Sequence, residues 1–443
     1  MATKDILNKI VSDYEPGLVL KEKQSEALEC LCNERCDLLV NLPVGYGKSI
    51  IFHLLPKLFI DTTCSNPIIV VVSPLNIIQK DQLESMKKRG ISACKLDIKT
   101  KVDETTDTLD DVDLEKYDVK CDVPLTTVIN GEYSIILCHP EALLNTTEGK
   151  GLLSNERFTH NVKAVVIDEC HIIQKWGEEF RTAFGKMSSL KVFFPSVPFI
   201  ALSGTLTVKQ KKEIPALLHL ENCKLIEHSP DKRNIFFEKC RKESSEDRLG
   251  EYEKIVYPIC QELFDKKEAF PVTLMFLPVF YMSEVLMHLH GLFGTKSIDD
   301  ALYSAICSGQ DDYVISRTIK ELKVENPRIR LVLTTSIAGM GFDPRNVTQV
   351  IHTCPPRNIS QYMQEIGRAG RQGQPARAVL YFNNHDIAKN LPGITEDIIA
   401  YCKNDTTCLR NAILNVFGFE KDQSITATEC CSNCKSHSRE KSN

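Results

Sequence analysis

Residues 37–49 read DLLVNLPVGYGKS: a short apolar run, a turn carrying Gly45 and Gly47, and then Lys48 and Ser49 at the head of the helical pattern IIFHLLPKL. Strand, glycine turn and helix opening on Lys-Ser is the arrangement that aims backbone N–H groups and a helix N-terminus at a phosphate. In such a loop the lysine reaches the β and γ phosphates and the serine hydroxyl holds Mg2+. The strict pattern has a glycine five residues before Gly47, where this chain has Leu42. A second element must therefore support the reading.

That element lies about 120 residues further on, where the run AVVI ends in Asp168-Glu169-Cys170-His171. Two carboxylates at the carboxyl end of a buried parallel strand stand at the edge where open α/β sheets bind ligands. Asp168 there can hold Mg2+, and Glu169 can orient and deprotonate an attacking water. Similar β-branched runs recur at 68–73, 133–138 and 199–205, and a second series follows at 272–277, 329–335, 348–354 and 377–382. Runs of this length that do not alternate fit strands buried on both faces of a parallel sheet, with helices between them. Two α/β domains in tandem follow, and a polar stretch at 227–253 marks their junction near residue 235.

The 443 residues exceed what one core organises, and 42% hydrophobic with 26% charged residues is a globular composition. A net charge of −5 excludes a uniformly basic nucleic-acid binder but allows a local basic track. Residues 99–117, with Asp103, Glu104, Asp107, Asp110, Asp111, Asp113 and Glu115, read as an acidic surface insertion. No apolar run approaches the ~18–20 residues that span a bilayer, so no membrane partner is expected. The 18 cysteines are too diluted for a disulfide scaffold. Cys138, Cys260 and Cys354 stand singly in apolar segments, as buried small hydrophobes do, whereas Cys402, Cys408, Cys430, Cys431 and Cys434 crowd the carboxyl end. In a reducing compartment such a cluster reads as metal ligands.

Phosphoryl transfer needs charge neutralisation and positioning, which directs attention to Gln364-Glu365-Ile366-Gly367-Arg368-Ala369-Gly370-Arg371. On a helix, Gln364, Arg368 and Arg371 would share one face by their spacing, with Gly367 and Gly370 leaving room for a close neighbour. The two arginines are candidate arginine fingers.

These stretches resemble the superfamily 2 helicases, and within them the RecQ-type DNA helicases, from about residue 15 to 437. LPVGYGKS is similar to the family's motif I, VVVSPLNIIQKDQ (70–82) to motif Ia, and DECHIIQKWGEEFR (168–181) to motif II with its aromatic-rich loop. ALSGTLT (201–207) resembles motif III, DKRNIFFE (231–238) the segment closing the first domain, and residues 334–382 motifs V and VI in unbroken register. The resemblance implies two tandem RecA-like parallel-sheet domains, 1–234 and 235–390, and a small helical zinc-binding subdomain, 391–443. It implies an ATP- and Mg2+-dependent DNA helicase moving 3′ to 5′ on single-stranded and forked DNA, resident in the nucleus. Lys48, Ser49, Gly45 and Gly47 would then bind phosphate and Mg2+, and Asp168, Glu169, Arg368 and Arg371 would serve hydrolysis. Gln24 would read adenine, and His171 and Gln364 would link nucleotide to DNA. Trp176, the only tryptophan, would stack on a base with Phe180 and Arg181 beside it. Lys21, Gly17, Tyr46, Cys170 and Gly204 depart from the family's usual residues. With the two motor domains and the zinc subdomain filling these 443 residues, the winged helix that many members carry is not expected among them.

CxxC is a zinc half-site because two thiolates at that spacing take adjacent tetrahedral positions. The resemblance assigns zinc to Cys408, Cys431 and Cys434. The fourth ligand lies between Cys430, which adjoins Cys431, and His437, which repeats the spacing; His437 is the expected one.

Overall fold

The computed structural model describes residues 2–60, 66–73, 76–100, 117–173, 186–243, 245, 247–294, 300–307, 309–335 and 344–440. The chain divides into two compact units, residues 1–228 and 229–443.

In the first unit the strands are β1 (Leu38–Asn41), β2 (Ile68–Val72), β3 (Ala93–Thr100), β4 (Tyr117–Cys121), β5 (Ile135–Cys138), β6 (Val162–Ile167), β7 (Phe199–Ser203) and β8 (Lys224–Glu227). They form one sheet in the order β4-β3-β5-β2-β6-β7-β1-β8. Every pairing is parallel except β3 with β4, which run antiparallel on either side of the acidic stretch. Residues 101–116 of that stretch lie outside the described residues. The continuous apolar runs have the cause expected of them. Ile68, Val70 and Val72 of β2 enter the core on one face of the sheet, and Ile69 and Val71 enter the core on the other. Each such side chain contributes roughly 1.5–3 kcal/mol when fully buried.

The second unit holds β9 (Ile235–Arg241), β10 (Thr273–Phe276), β11 (Tyr303–Ile306), β12 (Leu331–Thr334), β13 (Gln349–His352) and β14 (Ala376–Phe382). Their order is β11-β12-β10-β13-β14-β9, all parallel. β9 falls inside the polar stretch that the sequence marks as a junction, and it forms the edge of this sheet. Leu274, Phe276, Val350 and Leu380 bury one face together with Leu409, Ile413, Phe417, Cys430 and Cys431, so the cysteine module is packed onto the sheet rather than tethered to it.

Candidate nucleotide site and zinc module

In the first sheet β1 and β6 are both neighbours of β7. Because all three are parallel, the loops leaving β1 and β6 emerge at the same edge, roughly two strand spacings or ~10 Å apart. The loop after β1 carries Gly45 and Gly47 at φ +84 and +90, where only glycine is at ease. Gln24, on the helix Glu22–Asn33, donates its amide to the carbonyls of Tyr46 and Gly47 at 2.9 and 3.0 Å, and Lys21 Nζ donates to that of Gly45 at 3.3 Å. Tying these carbonyls to one side leaves the glycine turn to present N–H groups elsewhere, which is how such turns bind anions. A Cβ on Gly47 would stand 2.8 Å from Gln24 Nε2. Tyr46 finds its partners beside the loop: its ring lies 5.0 Å from that of His228 and 4.7 Å from Lys21 Nζ.

Lys48 Nζ donates to the carbonyl of Leu42 at 3.2 Å. Gly204 makes that approach possible, since a Cβ there would lie 3.1 Å from the ammonium. Ser49 opens the helix Ser49–Ile60, and its hydroxyl accepts from Gln82 Nε2 at 2.7 Å. Gln82 Oε1 lies 2.9 Å from His53 Nε2, and His53 Nδ1 lies 2.8 Å from the Tyr14 hydroxyl. Sequence reasoning missed this hydrogen-bonded line behind Ser49, because its members are 33, 29 and 39 residues apart.

Asp168 follows β6 and is buried; burial first, and then the Glu169 carboxylate, push its carboxyl up to about 7, while Lys48 pulls it down. Glu169 adopts left-handed backbone, φ 50, a conformation that costs roughly 1–2 kcal/mol outside glycine. Its Oε2 lies 3.3 Å from His171 Nδ1, which is also 3.0 Å from Ser203 Oγ at the end of β7. Once deprotonated, the Asp168 carboxylate, like the Ser49 hydroxyl, is an oxygen donor of the kind that holds a hard divalent cation. Trp176, Phe180 and Arg181 lie outside the described residues.

The arginine segment differs from the helical expectation. The helix Ile359–Ile366 ends with Gly367 as its cap, and Arg368 and Arg371 lie in the turns that follow. Gly370 at φ +63 and Gly373 at φ +84 break the helix, so only Gln364 of the three is helical. Arg368 is buried, and burial lowers Arg371 to about 10, which leaves it charged at neutral pH. Gly370 does admit a close neighbour: a Cβ there would lie 2.3 Å from Asn234 Nδ2.

At the carboxyl end the sulfurs of Cys408, Cys430, Cys431 and Cys434 lie within 4.8 Å of one another, with Cys408 and Cys430 3.4 Å apart. Four thiolates around Zn2+ at Zn–S ≈ 2.3 Å would be about 3.8 Å apart, so the set fits a closed structural site. Backbone N–H groups of Leu409 and Cys434 point at Cys431 Sγ, and that of Asn411 at Cys408 Sγ, supporting the ligands. Hydrogen bonds from Cys408 and Cys430 hold the Cys431 thiol well below its ordinary range. The expected ligand His437 is corrected to Cys430. His437 is exposed, with Nδ1 2.7 Å from the carbonyl of Asn433. Adjacent cysteines can share one ion here because Cys430 ends one helix, Cys431 is extended at φ −164, and a second helix begins at Ser432.

The chain matches the DEAD/DEAH box helicase family over residues 21–214 and the helicase conserved C-terminal domain over 259–373. Two parallel α/β units so matched, with a phosphate loop in the first, define the class as a superfamily 2 helicase core. The RecQ zinc-binding family matches residues 385–435, across the four cysteines. The chain is 27% identical over 428 residues to the ATP-dependent DNA helicase Q-like 2 of Arabidopsis thaliana, covering 94% of this chain and 55% of that one. It is 25% identical over 461 residues to the ATP-dependent DNA helicase RecQ of Haemophilus influenzae, covering 97% and 66%. The chain belongs to the RecQ-type helicases. It spans about half the length of the Arabidopsis relative and 29% of the length of the RecQ-like DNA helicase BLM of Xenopus laevis. Among solved structures, Mss116p bound to single-stranded RNA and AMP-PNP shares the fold at a TM-score of 0.64 and 15% identity, covering 94% of this chain and 81% of that one. Helicase Lhr of Mycobacterium smegmatis, bound to single-stranded DNA and AMP-PNP, does so at 0.59 and 16%, covering 90% and 52%. No helix among the described residues is long and apolar enough to cross a membrane.

Proposed function

We propose that the protein is an ATP-dependent DNA translocase and helicase that moves 3′ to 5′ on single-stranded and forked DNA. The observation that carries the ATPase part of this reading is the buried Asp168 carboxyl beside Lys48, at the sheet edge that also carries the Gly45–Gly47 turn. Lys48 and the loop N–H groups bind the phosphates, and Gln24 fixes the loop and meets the adenine edge. Ser49 and Asp168 hold Mg2+, which when bound supplies the positive charge that phosphoryl transfer requires. Removal of the Asp168 proton accompanies that binding. Glu169, aimed by its left-handed backbone, takes the proton of the attacking water. Arg368 and Arg371 stabilise the charge that develops on the transferred phosphoryl group. His171, bonded to Ser203, and Gln364 connect hydrolysis to the DNA held by Trp176, Phe180 and Arg181. Zinc holds the carboxyl-terminal module in shape. A DNA substrate makes the nucleus the expected residence.

The test is ATP hydrolysis measured in parallel with no nucleic acid, single-stranded DNA, duplex DNA and RNA, for the wild type, Lys48→Ala and Glu169→Gln. Stimulation by single-stranded DNA, abolished in both variants, is expected. Hydrolysis stimulated by RNA alone, or unchanged in the variants, overturns the reading.

A further inference from the structure

In the second unit the five residues Asp231–Ile235 lie between the zinc module and the arginine turn. On one side they meet Arg410, which is fully buried two residues after the zinc ligand Cys408, itself the cap of the helix Leu409–Val416. Arg410 pairs with the Asp231 carboxylate, donates to the carbonyl of Lys232 at 2.9 Å and also donates to that of Ile235. Arg233 adds an ion pair with Asp422 at 3.0 Å and a bond to Ser424. On the other side Lys232 Nζ donates to the carbonyls of Gly367 and Ala369 at 2.5 and 3.2 Å. Asn234 Nδ2 donates to those of Gly370 and Gln374 at 2.8 and 2.7 Å.

Arg368 and Arg371 are thus carried on a turn whose carbonyls are held by two side chains, and those side chains stand on a backbone held by one buried guanidinium. The arrangement has a cost. Burial, and then Arg371 and Arg368, depress Lys232 to about 7. Placing a lysine among two arginines opposes stability, so the four carbonyl bonds it and Asn234 complete must position something. Loss of a donor to a buried carbonyl also leaves that oxygen unsatisfied.

We propose that Asp231–Ile235 is a strut through which the zinc module sets the geometry of the arginine turn, with Lys232, Asn234 and Arg410 as positioning residues for ATP hydrolysis. Zinc occupancy then governs turnover through the order of residues 367–371, while nucleotide binding at the Lys48 loop is left unaffected. The hydrolytic part rests on the function proposed above; the structural coupling does not.

Two measurements on the full chain separate these. Backbone hydrogen exchange is followed in the peptides covering 363–376 and 38–52, for the zinc-loaded protein, for protein stripped by chelator, and for zinc-loaded Lys232→Met. Exchange at 367–370 is expected to rise about tenfold or more on zinc removal and in Lys232→Met, with 38–52 unchanged. An unchanged 367–370, or equal loosening of every peptide of the second unit, overturns the strut. In the second measurement Lys232→Met, with its zinc content verified, is expected to lose about tenfold in kcat with KM for ATP within about twofold, and Lys232→Arg to recover most of it. A raised KM with unchanged kcat, or no recovery in Lys232→Arg, overturns the positioning role. If the wild type hydrolyses no ATP, the function proposed above fails, and the exchange result still decides the coupling.

Discussion

Acidification should unlock the first unit at His53. This imidazole is 4% exposed, on the helix that Ser49 opens, with both ring nitrogens engaged by Tyr14 and Gln82. Burial lowers it from 6.5 to about 4; the Gln82 bond opposes that shift, and Arg89, whose guanidinium lies 5.2 Å from the Tyr14 ring, adds to it. As pH falls from above 6.5, the unfolded chain takes up a proton that the folded chain refuses. Stability present above pH 6.5 is therefore lost progressively down to about pH 4, with a limit of roughly 3 kcal/mol. At about pH 4.5 the expected loss is about 2.5 kcal/mol relative to about pH 7. Carboxylates titrate in the same range, so the quantity to measure is a difference. Urea denaturation of the wild type and of His53→Gln, followed by circular dichroism across this range, isolates the His53 contribution. The wild type should lose about 2–3 kcal/mol more than the variant on acidification. Stability curves that stay parallel from about pH 7 to about pH 4.5 would show that His53 is not held neutral by its surroundings, and would refute the argument.

Gly47→Ala places a Cβ 2.8 Å from Gln24 Nε2 at φ +90, so strain of about 1–3 kcal/mol should disturb the loop and weaken binding of a fluorescent ATP analogue by about tenfold or more. Cys430→Ser should lose bound zinc in atomic emission measurements and His437→Ala should keep it, since the four gathered sulfurs exclude the histidine. Arg410→Met leaves the Asp231 carboxylate buried without its guanidinium and should cost about 3–5 kcal/mol in denaturation. The double variant Arg410→Met with Asp231→Leu should recover part of that loss.

The strands that the sequence discloses are those buried on both faces. Val70, Val71 and Val72 have no solvent side to alternate towards, so their run is continuous and easily recognised. Most of the strands that escaped are of another kind; β11, YSAI, is buried along its length and escaped because four residues with a single β-branched side chain make too short a run. β3, ACKLDIKT, and β4, YDVKC, mix charge with apolar residues at one end of the first sheet, and β8 exposes Lys224 and Leu225 at the other. β9, IFFEKCR, is an edge strand whose polar half looks like linker. The arginine segment misled for a definite reason. Residues spaced i, i+4 and i+7 match a helical face, but three glycines within seven residues favour the turns that end one. Cys430 escaped because adjacency in sequence argues against shared ligation until a helix break at Cys431 turns both sulfurs inward. Lys232, Asn234 and Arg410 could not be found by motif at all: the partners of Arg410 lie 175 to 179 residues away, and those of Lys232 and Asn234 135 to 140.

Asp168 in the first unit and Lys232 with Arg371 in the second are crowded by charge in opposite senses, and each bears on what its own unit is built to meet. In the first, Asp168 beside Glu169 is a crowded pair of carboxyls whose mutual repulsion, added to burial, raises Asp168 to about 7. A divalent cation relieves that crowding, so Mg2+ uptake should be accompanied by proton release near neutral pH. In the second, Lys232 at about 7 and Arg371 at about 10 are depressed by burial, with the neighbouring guanidiniums adding to the effect on Lys232. A polyanion relieves that crowding in the same way.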